Sequence, residues 1–326
     1  MRSEIIALLR QRGDYVSGQE LCGHFGVSRT AVWKAVGQLK KEGYRIEAVQ
    51  NKGYRLLPED EIFGQHELES RMDTEWAGHP VIFYEELSST NLQAKLDAEK
   101  GAQQGTLIVA DMQTAGRGRR GRTWSSPPGT NAYFTLILKP DFAVELASMV
   151  TLVMGLAAAE GIRKNCGVEA GIKWPNDIVV NGKKICGILA EMSVERDFIH
   201  YIVTGVGINV GCQDFAPEIA DTATSLYREC GHKVDRAKLV ADVMKCFERC
   251  YGQFRQEGGL GSLKERYNSL LVNKGREVRV LTPGAEFQGI SQGINDAGEL
   301  LVERSDGSVT NIYAGEVSVR GIYGYV

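Results

Sequence analysis

The sequence predicts a mixed α/β protein in three parts: a short helical domain (1–61, linker included), a large central α/β domain (62–270) and a small all-β domain (271–326). Three observations carry this. Strand-like apolar runs alternate with helical ones through the centre, which is the pattern of a sheet covered by helices. Asn181-Gly182 joins two of those runs, a strong hairpin signal that argues against a doubly wound parallel sheet and for a mixed or antiparallel one with helices on one side. The last fifty or so residues break into short strand-like runs separated by Pro, Gly and Asp, the pattern of a small barrel.

The N-terminal elements follow in order. Ile5, Ile6, Leu8 and Leu9 mark one face of a first helix, and Gly13 ends it. Ser17-Gly18-Gln19-Glu20 has the form of a capping box for a brief second helix that stops at Gly26. Ser28 is the N-cap of a third helix, whose buried face is Val32, Val36 and Leu39 and whose Arg29, Thr30, Lys34 and Lys41 are left to solvent. Residues 44–49 and 54–57 then form a hairpin around Gln50–Gly53. This is the order of a winged helix-turn-helix. Ser28, Arg29, Thr30 and Lys34 would enter the major groove of DNA, and Lys52 and Arg55 on the wing would touch the backbone or minor groove. Charge agrees: residues 1–57 hold ten Lys/Arg against five Asp/Glu, a net +5, while the remainder holds 28 against 36, a net −8. The acidic, proline-containing 58–61 segment reads as a linker.

In the centre, strands are predicted at 80–84, 106–110, 133–138, 178–180, 185–189 and 201–206, and helices at 91–100, 146–164 and 236–257. The C-terminal strands are predicted at 277–281, 287–294, 300–303, 309–312 and 316–319. The composition, 43% hydrophobic and 24% charged, suits packed cores. The longest apolar stretch, 147–162, is broken by Ser148, Thr151, Gly155 and Glu160, so it reads as a buried helix and not a membrane span. The N-terminus lacks signal-peptide form, and a cytoplasmic location is expected. Seven cysteines, odd in number and without a C-x-x-C pair, suit neither a disulfide framework nor a structural zinc site, and Cys246 and Cys250 read as buried small hydrophobes.

The chemistry lies in the central domain. Gly116-Arg117-Gly118-Arg119-Arg120-Gly121-Arg122 places four guanidinium groups on a loop whose glycines let backbone N–H groups approach an anion, which suits a phosphate ester. Trp124 is either core or a platform for a flat base. Lys173-Trp174-Pro175-Asn176-Asp177 leads into a strand, the Asn-Gly turn and Lys183-Lys184. A lysine there can steady an anionic oxygen and an aspartate can orient or deprotonate an amine, although a solvated hairpin is the commoner fate of such a lysine pair.

Taken together, Ser-Ser-Thr-Asn (88–91), Gln113, GRGRRGRTW (116–124), KWPND (173–177), KKICGILAE (183–191) and GVGINV (205–210) resemble the catalytic domain of biotin protein ligases across nearly all of the central region. The basic N-terminal part is similar to the DNA-binding domain of the family's bifunctional members, which also repress biotin genes, and the C-terminal part to their SH3-like domain. The resemblance implies a mixed sheet related to that of class II aminoacyl-tRNA synthetases. It implies that Ser89, Thr90, Asn91 and Gln113 hold the biotin ring and chain, and that Arg117, Gly118 and Arg119 belong to a loop closing over biotin and its adenylate. Arg119 would retain the intermediate, Trp124 stack on adenine and Lys184 sit at the reacting carboxyl and phosphate, with Asp177 and Asn209 near the adenylate. Gly116, Arg120, Arg122 and Gly187 complete the expected substrate-binding set, and Lys184, Arg119 and Asp177 are the expected catalytic residues. Biotin and ATP would be the substrates, with Mg²⁺ accompanying ATP. The partners implied are a lysine on the biotin carrier domain of a carboxylase, operator DNA, and a second copy of the chain recruited by biotinoyl-AMP as co-repressor. The alternatives kept open are a lipoate ligase on the related fold, against which the GRGRRGR loop counts, a ligase whose N-terminal domain no longer represses, and a biotin-sensing transcription factor.

Overall fold

The computed structural model describes residues 1–58, 61–282, 285–313, 318–321 and 325–326. By its contacts the chain forms two compact units, one of 1–73 with 235–241, the other of 74–234 with 242–326.

The first unit holds α1 (Arg2–Arg12), α2 (Gly18–Phe25), α3 (Arg29–Lys41), β1 (Ile46–Val49), β2 (Gly53–Leu56) and α4 (Gln65–Arg71). Ile5, Ile6, Leu9, Leu21, Val32, Val36 and Leu39 form its core, as the helical spacing predicts. Gly13 and Gly26 end α1 and α2 in the left-handed conformation. Only half of the capping box forms. Ser17 Oγ accepts the Glu20 N–H at 3.0 Å, while the Glu20 carboxylate pairs with Arg12 at 3.0 Å. The wing is tied to the segment before α2 by reciprocal backbone bonds between Val16 and Tyr54, of 2.8 and 2.9 Å. Gly53 sits at that crossing with φ +111°, where a Cβ would stand 2.1 Å from Val16 O. Helix α4, which the sequence pattern does not signal, extends the unit beyond the linker. Its Glu67, 3% exposed, accepts from Arg10 (2.8 and 2.9 Å) and Arg71 (2.7 Å), so a carboxylate enters the interior with its charge met.

The second unit is built on a seven-stranded mixed sheet. Its strands are β3 (Val81–Leu87), β4 (Leu107–Gln113), β5 (Ala132–Leu138), β6 (Gly171–Lys173), β7 (Asp177–Val180), β8 (Lys183–Glu195) and β9 (Phe198–Ile208). The order is β3-β4-β5-β9-β8-β7-β6, with β3 parallel to β4 and the other pairs antiparallel. Helices cover both faces, which corrects the one-sided arrangement expected from sequence. Helix α5 (Thr90–Glu99) packs through Ala94 and Ala98 on the face of Ile108, Ile137 and Val203. Helix α6 (Val150–Cys166) meets the opposite face, where Gly155 approaches Ile188. The reason is legible in β5, buried at every position with no polar alternation, as a strand covered on both sides must be. Helix α6, apolar enough to span a membrane by composition, is instead mostly buried. Helices α7 (Leu226–Cys230), α8 (Arg236–Glu257) and α9 (Leu263–Leu270) follow.

The C-terminal strands β10 (Glu277–Thr282), β11 (Ala285–Ile294), β12 (Leu300–Glu303), β13 (Val309–Ile312) and β14 (Ser318–Gly321) form an antiparallel sheet in the order β13-β12-β11-β10-β14. Of the sequence expectations here, Pro283-Gly284 and residues 316–317 lie outside the described residues. Contacts group this sheet with the seven-stranded one in the second unit. Trp174 of the KWPND segment, 1% exposed, donates its indole N–H to Gly298 O at 3.1 Å.

Candidate functional site

One cavity of about 530 Å³ on the α5 face of the large sheet gathers the predicted residues. Ser89, Thr90, Asn91, Gln113, Arg117, Gly118, Arg119, Arg120, Arg122, Trp124, Asp177, Lys184, Gly187 and Asn209 all line it. Gly116 stands just behind, where its carbonyl accepts the Trp124 N–H at 2.9 Å and a Cβ would stand 2.3 Å from Trp124 O.

The floor is made of glycines on β8 and β9. A Cβ on Gly205 would stand 1.9 Å from Asn91 Oδ1, and one on Gly207 would stand 2.6 Å from the Trp124 indole nitrogen. Glycine here exchanges strand packing for close approach of a side chain to backbone.

At one end the Thr90, Asn91 and Gln113 side chains that line the cavity are neutral and mutually satisfied. Gln113 Oε1 accepts from the Thr90 backbone N–H (2.8 Å) and hydroxyl (3.1 Å), and its Nε2 donates to Ser126 Oγ at 2.9 Å. Thr135 Oγ1 lies 2.8 Å from Thr90 Oγ1 and donates to Asn91 Oδ1 at 2.7 Å. Asn91 Nδ2 donates to Leu189 O (3.1 Å) and Glu191 Oε2 (2.9 Å). Burial alone would raise the Glu191 pKa. The bonds from Asn91 and Lys95, with the charges of Lys95 and Arg117, outweigh burial and hold it below the usual carboxylate range. Glu191 therefore stays ionised and locks the Asn91 amide. Such a network is a rigid template for a polar, uncharged ring.

At the other end the groups are charged. The arginine loop closes on itself through Arg122 O, which accepts the Gly118 N–H at 2.7 Å, and Arg120 takes a left-handed φ of 57°. Arg119 Nη1 donates to Asn176 Oδ1 at 2.8 Å, while Asn176 is itself fixed to Ile188 through both backbone and side chain. Burial lowers the Arg119 pKa; Asp177 opposes this and Arg120 and Arg122 reinforce it. A guanidinium remains protonated under such a shift. Lys184 Nζ forms an ion pair with Asp177 Oδ1 at 2.6 Å and lies 5.2 Å from the Trp124 ring centre. Its backbone is clamped by Thr222 O (2.8 Å) and the Thr224 N–H (2.9 Å). Asn209 is turned to the same wall, donating to Thr224 O at 3.1 Å. Among the described residues the buried Trp124 indole N–H has no hydrogen-bond partner.

Sequence reasoning missed several lining residues. Lys173, 6% exposed, is one; Phe215, Ile219 and Ala223 of the 212–223 wall are others; Tyr325 is a fifth, from beyond the sheet. The wall has no helical or strand periodicity to announce it. Among the described residues no group of three or more His, Cys, Asp or Glu forms a metal site. The seven cysteines are free, and Cys246 and Cys250 are buried, as read from sequence.

In the first unit, Ser28 caps α3 through the Ala31 N–H at 3.3 Å, and Arg29, Thr30 and Lys34 are exposed. Between them stands Trp33, 66% exposed, which the sequence reading passed over. Lys52 and Arg55 lie over the Tyr15 ring at 5.6 and 4.7 Å, and Arg55 also pairs with Glu47 at 2.9 Å. Arg55 would therefore share its charge between that carboxylate and any phosphate.

Three family models match: the HTH domain over residues 2–55, the biotin/lipoate A/B protein ligase family over 84–209 and the biotin protein ligase C-terminal domain over 275–320. The chain is 40% identical over 322 residues to the bifunctional ligase/repressor BirA of Bacillus subtilis strain 168, covering 98% of each chain. It is 32% identical over 317 residues to that of Escherichia coli K12, covering 97% of this chain and 96% of the other. The biotin protein ligase of Aquifex aeolicus, solved in complex with biotin and ATP, superposes with a TM-score of 0.65 at 32% identity, over 74% of this chain and 98% of that one. With the helix-turn-helix, the ligase domain and the C-terminal sheet present in that order, the chain belongs to the biotin protein ligase family, among its bifunctional ligase/repressors.

Proposed function

We propose that the cavity binds biotin at its neutral end and the nucleotide at its charged end. The protein is an ATP-dependent biotin ligase that also carries a repressor's DNA-binding domain. The observation that supports the division is the change in chemistry along one cavity, from the neutral Thr90–Asn91–Gln113 network to Arg119, Trp124, Asp177 and Lys184. Ureido groups need fixed neutral partners, and a triphosphate needs cations.

In the first step a biotin carboxylate oxygen attacks the α-phosphorus of ATP. An oxygen–phosphorus bond forms, the bond to pyrophosphate breaks, and biotinoyl-5'-AMP results. Lys184 and Arg119 stabilise the charge that builds on the phosphate oxygens, and Asp177 holds the Lys184 ammonium in place. Mg²⁺ enters with ATP as part of the substrate. In the second step a lysine amine of a carboxylase carrier domain attacks the acyl carbon. A carbon–nitrogen bond forms, AMP leaves with the bonding pair, and the amine loses its proton. Trp124, packed against Gly187 and Gly207, offers its ring to adenine, and the arginine loop excludes water from the anhydride.

Biotin-dependent exchange of pyrophosphate into ATP tests the activity. Arg119→Gly tests retention. A hydrogen bond to a charged group contributes about 1.5–3 kcal/mol, so biotinoyl-AMP should dissociate roughly 10- to 100-fold faster and label unrelated lysines. Retention equal to wild type would refute the role given to Arg119.

The N-terminal unit binds operator DNA through α3 and the wing, with Trp33 central to the α3 surface. One winged helix reads few bases, so we place repression on a homodimer for which biotinoyl-AMP is the co-repressor. Ordering of the Gly116–Arg122 loop around the adenylate would lower the cost of an interface beside it, and linkage makes the effect reciprocal. Sedimentation should show association strengthened by biotinoyl-AMP more than by biotin. An association constant equal in the protein alone and in both complexes would sink the co-repressor reading. The cytoplasm, where operator, ATP and carrier meet, is the location that goes with this function.

A further inference from the structure

Asp177 has a second neighbour that the reaction scheme leaves unused. While Oδ1 faces Lys184, Oδ2 accepts a hydrogen bond from the hydroxyl of Tyr325 at 2.5 Å. The two residues are 148 positions apart. The same tyrosine ring carries the Lys173 ammonium 3.3 Å from its centre, and Lys173 is 6% exposed. Tyr325 lines the cavity together with Lys173, Asn176, Asp177 and Lys184. One side chain from outside the catalytic sheet thus touches both ends of the Lys173–Asp177 segment.

The chemistry suits a holder of cations. A phenol donates to a carboxylate without cancelling its charge, so Asp177 stays available to Lys184 and its second oxygen is fixed. The ring face attracts the Lys173 ammonium through its quadrupole, with none of the tight ion pairing that a carboxylate in that place would bring. Two ammonium groups, one over an aromatic face and one beside an oriented carboxylate, then face a single cavity. We propose that Tyr325 is a positioning residue for ATP: its hydroxyl sets Asp177 and its ring sets Lys173, so that Lys173 and Lys184 form a two-cation seat for the triphosphate. The proposal rests on assigning the charged end of the cavity to the nucleotide.

The test uses the full chain. Tyr325→Phe keeps the ring and removes only the hydroxyl, so folding is not at stake. It should raise KM for MgATP about three- to ten-fold, with a smaller change in kcat and an unchanged dissociation constant for biotin by calorimetry. Tyr325→Ala, losing ring and hydroxyl, should raise KM further. Binding of a non-hydrolysable α,β-methylene ATP should weaken on Tyr325→Phe in the wild-type background and show no added loss in Asp177→Asn, since the hydroxyl acts through that carboxylate. Unchanged KM in both tyrosine variants would overturn the proposal. So would a lowered KM, which would make the tyrosine an obstruction, or full additivity with Asp177→Asn. Lys184→Ala, measured alongside, separates the two readings. If it weakens biotin and not the ATP analogue, the ends of the cavity are misassigned. If it weakens the ATP analogue while the tyrosine variants do not, the Tyr325 proposal alone fails.

Discussion

Deleting residues 1–73 should abolish operator binding and leave biotin-dependent adenylation within about three-fold of the full chain. All residues lining the cavity belong to the second unit, and all of the predicted DNA contacts belong to the first. The cut belongs after Asp73 and not at the 58–61 linker. A cut at the linker would strand α4, whose Leu68 is fully buried and whose Glu67 would lose Arg10, leaving apolar surface and a half-partnered carboxylate. The deletion still has a cost. Residues 235–241 group with the first unit, and Arg71–Asp235 and Arg236–Glu61 are among its ion pairs, at 2.6 Å each. The start of α8 should therefore fray, and the melting temperature should fall even where activity holds. A gel shift with operator DNA and a pyrophosphate-exchange assay on the same preparation decide the matter. A truncated protein that still shifts operator would refute the DNA-binding assignment, and a hundred-fold loss of exchange would show that the catalytic site depends on the N-terminal unit.

The second large effect is expected at Lys184. Lys184→Ala should lower the adenylation rate about 10²- to 10³-fold, the scale seen when a preorganised donor to a developing negative charge is removed. The clamp of its backbone by Thr222 and Thr224 makes that preorganisation concrete, because the stem starts from a fixed point and needs little reordering in the reaction. Biotin affinity should stay within about three-fold, since the neutral network is untouched. Pre-steady-state measurement of biotinoyl-AMP formation gives the rate directly. A loss smaller than ten-fold would remove Lys184 from the chemistry.

The sequence carried the cavity where motif and geometry coincide. Asn91, Gln113, the arginine loop, Asp177 and Lys184 sit in short stretches whose residue types are unusual for core or surface, so their chemistry shows locally. The 212–223 wall escaped because it works by shape and backbone, through bonds such as Lys184 N–H to Thr222 O, and any residue can supply a carbonyl. Tyr325 escaped because its partner is 148 positions away. Helix α4 escaped for a different reason. QHELESR shows no apolar stripe, and its burial depends on two guanidinium groups meeting Glu67. The one-sided sheet was inferred from the Asn181-Gly182 hairpin, while β5, buried at every position, required cover on both faces.

Three of the four tryptophans divide along the same line as the two activities. Trp33 stands 66% exposed on the α3 surface, Trp174 is 1% exposed in the core, and Trp124 lies against backbone in the cavity. The protein therefore carries its own optical reporters. A solvated indole emits at longer wavelength than a buried one, and an indole stacked on a purine is quenched. Excited at the red edge, emission from Trp33 would follow occupancy of DNA, while loss of the bluer emission of Trp124 would follow the adenylate. Both events could be timed in one unlabelled sample, in whichever order they occur.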